Sequence, residues 1–181
     1  MLLSMSITGL TFCGTDVGGF FGHPSGELYT RWYQAAAFHP FLRSHAHIDT
    51  PKREPWMYEA KYLEAIRWVI ILLVFFIIKI LPMLKAHAFL LFREALRIRY
   101  SMLPYWYTLF AVSETDASLP MAPLFYHFPE DERTFGIDDA FMVGGALLVH
   151  PVVHEGANSV DVYLPQGTWY LHDDWKVRRG T

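Results

Sequence analysis

The 181 residues hold a single cysteine, Cys13, which excludes an internal disulfide and a metal cluster built from thiolates. Charge is scarce too. Only 18% of residues are Asp, Glu, Lys or Arg, with 15 basic against 18 acidic and a formal net charge of −3. That balance gives no clustered Lys and Arg surface, so no nucleic-acid partner is expected. Met1–Cys13 (MLLSMSITGLTFC) lacks a basic leader and a small-residue cleavage site, and is not expected to act as a signal peptide. The glycines at 14, 18, 19 and 22 do not fit G-x-G-x-x-G, so the loop is not a dinucleotide fingerprint. G-x-S-x-G, a phosphate loop, internal repeats and low-complexity tracts are all missing.

Apolar and aromatic residues are plentiful. Hydrophobic residues make up 52% and aromatics 17%, with 6 Trp, 10 Tyr and 14 Phe. Such a chain buries a core and is not generally disordered. The aromatics suit packing or a site that stacks flat ligands. At roughly 150 residues per domain, the length allows one domain and part of another.

The first half reads as strand, loop, helix, strand, loop. A short buried strand is expected near Leu10–Cys13, followed by the loop GTDVGGFFGHPSG. Glu27–Phe38 is expected to be a helix, with Leu28, Trp32 and Ala35/Ala36 on its apolar stripe and Pro40 as its stop. Phe41–Arg43 is the second strand, followed by the polar loop SHAHIDTPKREP. This alternation is the pattern of a parallel α/β sheet.

One block stands apart. From Trp68 to Phe92, 21 of 25 residues are apolar, the exceptions being Lys79, Pro82, Lys85 and His87. Removing 26 residues, Arg67–Phe92, joins the flanks into YLEAIREALRIRYSML, whose apolar positions then fall at spacings 3, 4, 4 and 3. That is one amphipathic helix. The block at about 67–93 therefore reads as an insertion into a helix, in the manner of translated intron sequence. A membrane-tethered accessory chain is the other reading. Trp68–Leu84 has 17 residues and one lysine, just short of the roughly 18–20 apolar residues of a spanning helix.

Beyond Pro104, YWYTLFAVSET continues or restarts the helix. From Leu119 the texture changes to short β-rich runs, LPMAPLFYHF, AFMVGGALLVHPVV, SVDVYLP and GTWYLHD, separated by Gly, Pro, Asp and Asn. An antiparallel sheet or sandwich is expected there, with a domain boundary near Ser118.

Two clusters could carry chemistry. Asp16 follows the first strand in a glycine-rich loop beside Phe20 and Phe21. A carboxylate next to an aromatic at a strand's C-terminal end suits a sugar site. Equally, Asp16 could only cap the loop. Arg43-Ser44-His45-Ala46-His47 follows the second strand. His45 and His47 could share a face and bind metal. A hydrogen-bonding His45 beside a charge-fixing Arg43 is the better fit, and no metal or cofactor is expected. Glu27 complements the dipole of its helix. Asp138 and Asp139 shape a turn. Glu130-Asp131-Glu132 reads as a solvated loop, and His39, His87, His127, His150 and His172 as structural or surface residues.

The pattern G-x-D-x-G-G-F…RWYQ…F-x-P-F-x-R-x-H, together with REALRIRYSMLPYWYTLF, LPMAPLFYHFPED, FMVGGALLVHPV and VDVYLPQGTWY, resembles the family 31 glycoside hydrolases, the α-glucosidase family. The resemblance covers nearly everything except the apolar block and the last several residues. It implies the C-terminal portion of a (β/α)8 TIM barrel over residues 1–118, interrupted at about 67–93, and a proximal all-β sandwich over 119–181. It implies a retaining hydrolase that releases terminal α-linked glucose from oligosaccharides or N-glycans through two aspartates. Their W-x-D-M-N-E-like and G-D-N-like motifs do not occur here and are expected upstream of Met1, so this chain alone is expected to be inactive.

By the same resemblance, Asp16, Phe20, Arg43 and His45 line the subsite for the glucose ring. His45 donates to hydroxyls, Asp16 accepts from one or orients the catalytic pair, Phe20 forms an apolar wall, and Arg43 keeps carboxylates ionised. A non-catalytic carbohydrate-binding remnant would use the same residues. An endoplasmic-reticulum lumen location is implied, and a regulatory β subunit if the N-glycan-processing branch applies. Thr15 stands where the family usually has Ala, which would crowd the loop.

Overall fold

The computed structural model describes residues 1–53, 97–171 and 177–180. The apolar block, the helix interruption and the membrane reading of 68–84 all lie outside those residues, as do His87 and His172. Among the described residues, no helix is long and apolar enough to cross a membrane.

The first part is built from helix α1 (Leu2–Ile7), strand β1 (Asp16–Val17), helix α2 (Gly26–Ala36) and strand β2 (Arg43–Ser44). The two strands pair in parallel, Asp16 opposite Arg43 and Val17 opposite Ser44. The expected parallel unit is therefore present, but its strands start later than the sequence suggested. Leu10–Cys13 forms no strand, and Leu10 and Phe12 are exposed. Cys13 only accepts a bond from the Phe41 amide, at 3.2 Å. Just beyond it, a Cβ at Gly14 would overlap the Phe41 carbonyl. The two backbones run together only because no side chain stands between them there. The second strand likewise begins at Arg43 rather than Phe41.

Helix α2 starts at Ser25, whose hydroxyl accepts from the Leu28 amide at 3.2 Å. Its apolar stripe is offset by one residue from the expected one. Tyr29, Tyr33 and Ala36 are buried, Trp32 packs beside them, and Leu28 is exposed. The tyrosines can go inside because Tyr29 shares a 2.8 Å hydrogen bond with Ser44, which satisfies its hydroxyl under the sheet. Arg99 closes the other end of α2, donating to the carbonyls of Ala37, His39 and Pro40.

Residues 97–101 are helical and lead into α3 (Leu103–Asp116), with Pro104 in its first turn, where the missing N–H costs no bond. After it come β3 (Met121–Pro123), α4 (Leu124–His127), a 3-10 turn at Glu132–Thr134, β4 (Phe141–Val143), β5 (Leu147–Val149), β6 (Gly167–Tyr170) and β7 (Val177–Gly180). Strands β3, β4 and β5 form one antiparallel sheet and β6 pairs antiparallel with β7. Asp131 is not simply solvated as expected. It caps the 3-10 turn, accepts from the Tyr163 hydroxyl and pairs with Arg133.

The larger core joins both halves of the chain. Leu2, Met102 and Trp106 pack with Met121, Phe141, Val143 and Val149. Ser6 of α1 donates to the Met121 carbonyl of β3. A second connection runs from α2 to the 152–157 loop. Arg31 donates to the carbonyls of Val152 (3.2 Å) and Ala157 (2.7 Å), and the Gly156 amide donates to Glu27 at 2.9 Å. Glu27 thus does more than complement a helix dipole.

Candidate functional site

Parallel pairing puts the ends of β1 and β2 side by side, and the candidate residues with them. Arg43 reaches across to Asp16, with Nε and Nη2 at 2.9 and 2.7 Å from Oδ1. Arg43 is half-exposed at 51% and Asp16 less so at 21%, so this is a wet ion pair that orients both groups more than it stabilises the fold. Just past the strands, the Phe20 ring lies 5.5 Å from the His45 ring, tilted by 42°. The Phe20 carbonyl accepts from the His47 amide at 2.9 Å, which ties the two loops together.

The four residues expected at the site therefore form two facing pairs on adjacent strand ends. Asp16 lies within β1 rather than after it. His45 and His47 lie beyond β2, outside the extended pairing that would align them as ligands. Both rings instead contact Phe20, at 5.5 and 5.6 Å. Among the described residues, no three His, Cys, Asp or Glu side chains gather as a metal would require. Phe21 adds a fourth ring, exposed, edge-on to Phe20 at 4.9 Å and tilted over His47 at 5.2 Å.

The glycine loop is held from below. Gly18 has φ +90°, and a Cβ there would come within 2.7 Å of the Tyr29 ring. Only glycine meets both demands. The Trp32 indole sits under Gly19 and donates to the Thr15 hydroxyl at 2.9 Å. Thr15 is thus accommodated as a hydrogen-bond acceptor.

The sequence reading missed Arg53. It is 4% exposed, and its guanidinium donates to the carbonyls of Gly18 (2.8 Å), Gly22 (3.3 Å), Gly19 and His45 (2.7 Å). In the sequence it is one charge among several in TPKREP, and nothing local marks it as buried.

This arrangement sets a carboxylate acceptor, two cationic or hydrogen-bonding donors and an aromatic wall at the C-terminal end of parallel strands. Ligands of α/β sheets bind at such ends. Residues 1–74 match the family 31 glycosyl hydrolase TIM-barrel domain, and residues 117–180 match the family 31 C-terminal domain. The chain is 45% identical to neutral alpha-glucosidase AB of Mus musculus over 99% of its own length and 16% of that protein's. It thus spans about a sixth of the length of that curated relative. Among solved structures, it is similar to the ER glucosidase II heterodimeric complex of a catalytic subunit with the binding domain of its regulatory subunit. The TM-score there is 0.78 at 36% identity, over 99% of this chain and 17% of the other. A DNJ-bound glucosidase II alpha subunit gives 0.78 at 35% identity, with the same coverage. With residues 1–74 and 117–180 matching two domains of the same family, the chain belongs to glycoside hydrolase family 31.

Proposed function

We propose that this chain forms part of an α-glucosidase-type hydrolase that releases terminal α-linked glucose from oligosaccharides or N-glycans with retention of configuration. The observation that carries this reading is the pair of contacts on adjacent parallel strand ends, Asp16 with Arg43 and Phe20 with His45. Together they make one wall of a glucose subsite. Both Arg43 contacts fall on Asp16 Oδ1, which leaves Oδ2 to accept from a sugar hydroxyl. The His45 imidazole donates to a neighbouring hydroxyl, and Phe20 covers an apolar ring face.

Retention requires a nucleophilic carboxylate and a carboxylic acid on opposite sides of the glycosidic bond. Neither aspartate motif occurs in this sequence. The wall residues bind and orient, and the reacting carboxylates belong to other residues of the enzyme. In this reading, residues 1–118 are the C-terminal portion of the barrel and 119–181 the proximal β-sandwich. The similarity to the heterodimeric ER enzyme supports a regulatory β subunit as partner and the endoplasmic-reticulum lumen as location.

The missing aspartate motifs favour a second reading, a sugar-binding remnant without chemistry. Two measurements on the purified chain test the subsite that both readings share and the absence of reacting groups. Titration calorimetry with deoxynojirimycin is expected to give binding heat that Asp16→Ala weakens by about tenfold or more. Absence of heat from the wild-type chain would overturn the subsite. An aryl α-glucoside is expected to show no turnover above a mock preparation, and turnover would show that reacting groups are present after all.

A further inference from the structure

We propose that Arg53 is the positioning residue of this site. Its buried guanidinium clamps the Gly18–Gly22 loop to the end of β2, so that Phe20 and His45 face one another. The proposal rests on the subsite reading above and deepens it.

The acceptors lie on two segments far apart in sequence. Gly18, Gly19 and Gly22 surround Phe20, and the fourth acceptor is the carbonyl of His45 itself. Each segment carries one of the two facing rings. Elsewhere the segments are joined by the His47 amide on the Phe20 carbonyl (2.9 Å) and by the Thr50 hydroxyl on the same oxygen (3.4 Å).

Carbonyl oxygens turned toward one point repel each other unless a donor with several N–H groups stands among them. Arginine supplies five donors in a fixed planar fork, and each bond to a charged donor is stronger than a neutral one. Nη1 serves the Gly18 and Gly22 carbonyls, while Nη2 joins Gly19 to His45. A lysine ammonium has its three donors on one atom, so it can stand in for the Nη2 bridge between Gly19 and His45 but cannot hold all four carbonyls at once. At 4% exposure, Arg53 lies beneath the loop and acts on a ligand only through Phe20 and His45.

The test uses the full 181-residue chain as wild type, Arg53→Met and Arg53→Lys. Deoxynojirimycin affinity is read by calorimetry, and the histidine ring signals by proton–carbon correlation NMR. Arg53→Met is expected to weaken binding by about tenfold or more and to move the His45 signal, leaving those of His127 and His154 in place. Arg53→Lys is expected to recover part of the affinity.

The proposal is overturned if Arg53→Met binds within about twofold of wild type with the His45 signal unmoved. It is equally overturned if all histidine signals collapse together, which would make Arg53 a fold residue only. If the wild-type chain binds no deoxynojirimycin, the subsite reading fails. The His45 signal then decides the positioning claim alone.

Discussion

His39 packs its ring 6.1 Å from Phe141 and is buried at 8% exposure. Burial, reinforced by the nearby Arg99 cation, pushes its pKa down from 6.5 to about 4. The folded chain therefore keeps this imidazole neutral where the unfolded chain would protonate it. Its contribution is complete above the unfolded value of 6.5 and is lost as pH falls through about 4. Burial shifts His127 in the same direction. Between pH 7 and about pH 5, His39 alone should cost on the order of 2 kcal/mol, visible as a lower urea midpoint. A His39→Gln variant is expected to flatten that slope. Equal slopes for the two proteins would show that His39 does not govern it. Glu27 and Asp131 are held below the ordinary carboxylate range, Glu27 chiefly by the Gly156 amide and Asp131 chiefly by Arg133, so their losses begin at lower pH.

Gly18→Ala places a methyl group 2.7 Å from the Tyr29 ring at a φ of +90°. The expected loss is roughly 2–4 kcal/mol by urea unfolding, from strain and overpacking together. Part of this site could be read from the sequence. Asp16, Phe20, Arg43 and His45 stand in a punctuated loop and after a short apolar run, where strand-end chemistry is sought. Arg53 could not be read, because its burial comes from carbonyls converging out of a loop more than thirty residues away. Thr15 looked like crowding because its use depends on where the Trp32 indole lands.

At the scale of elements, the order strand, helix, strand followed from glycine and proline punctuation, while the boundaries shifted. The apolar run Leu10–Cys13 suggested a strand on hydrophobicity alone. Backbone pairing instead waits until Gly14 lets the chains approach, so the strand appears at Asp16. In α2, residue scales favour Leu28 for the inside, yet Tyr29 goes there because Ser44 meets its hydroxyl. The same helix depends on a cation from outside itself. Arg99 holds three carbonyls beyond its C-terminal end and lies over the Trp106 ring at 5.7 Å. Arg99→Met should remove about 1.5–3 kcal/mol, since buried carbonyls would lose a charged donor. An unchanged urea midpoint would mean that water replaces it at no cost.

Across the whole molecule, α2 and the 152–157 loop are joined by Glu27 and Arg31. Glu27→Ala is expected to speed hydrogen exchange at the Gly156 amide by about tenfold or more while leaving the strands protected. No change there would mean that this link is not formed in solution. The sequence placed a boundary near Ser118 because the texture turns from helical to β-rich. It could not show that Leu2 and Trp106 would share a core with Met121 and Phe141.

That interlocking makes the two stretches halves of a single puzzle rather than beads on a string. Snipped at Ser118, each peptide would carry one bare side of a broken interior, Leu2 and Trp106 on one piece, Met121 and Phe141 on the other. Neither should hold its shape unaided. Mixed together, the two should reassemble into one particle and recover the near-ultraviolet signature of an enclosed Trp106.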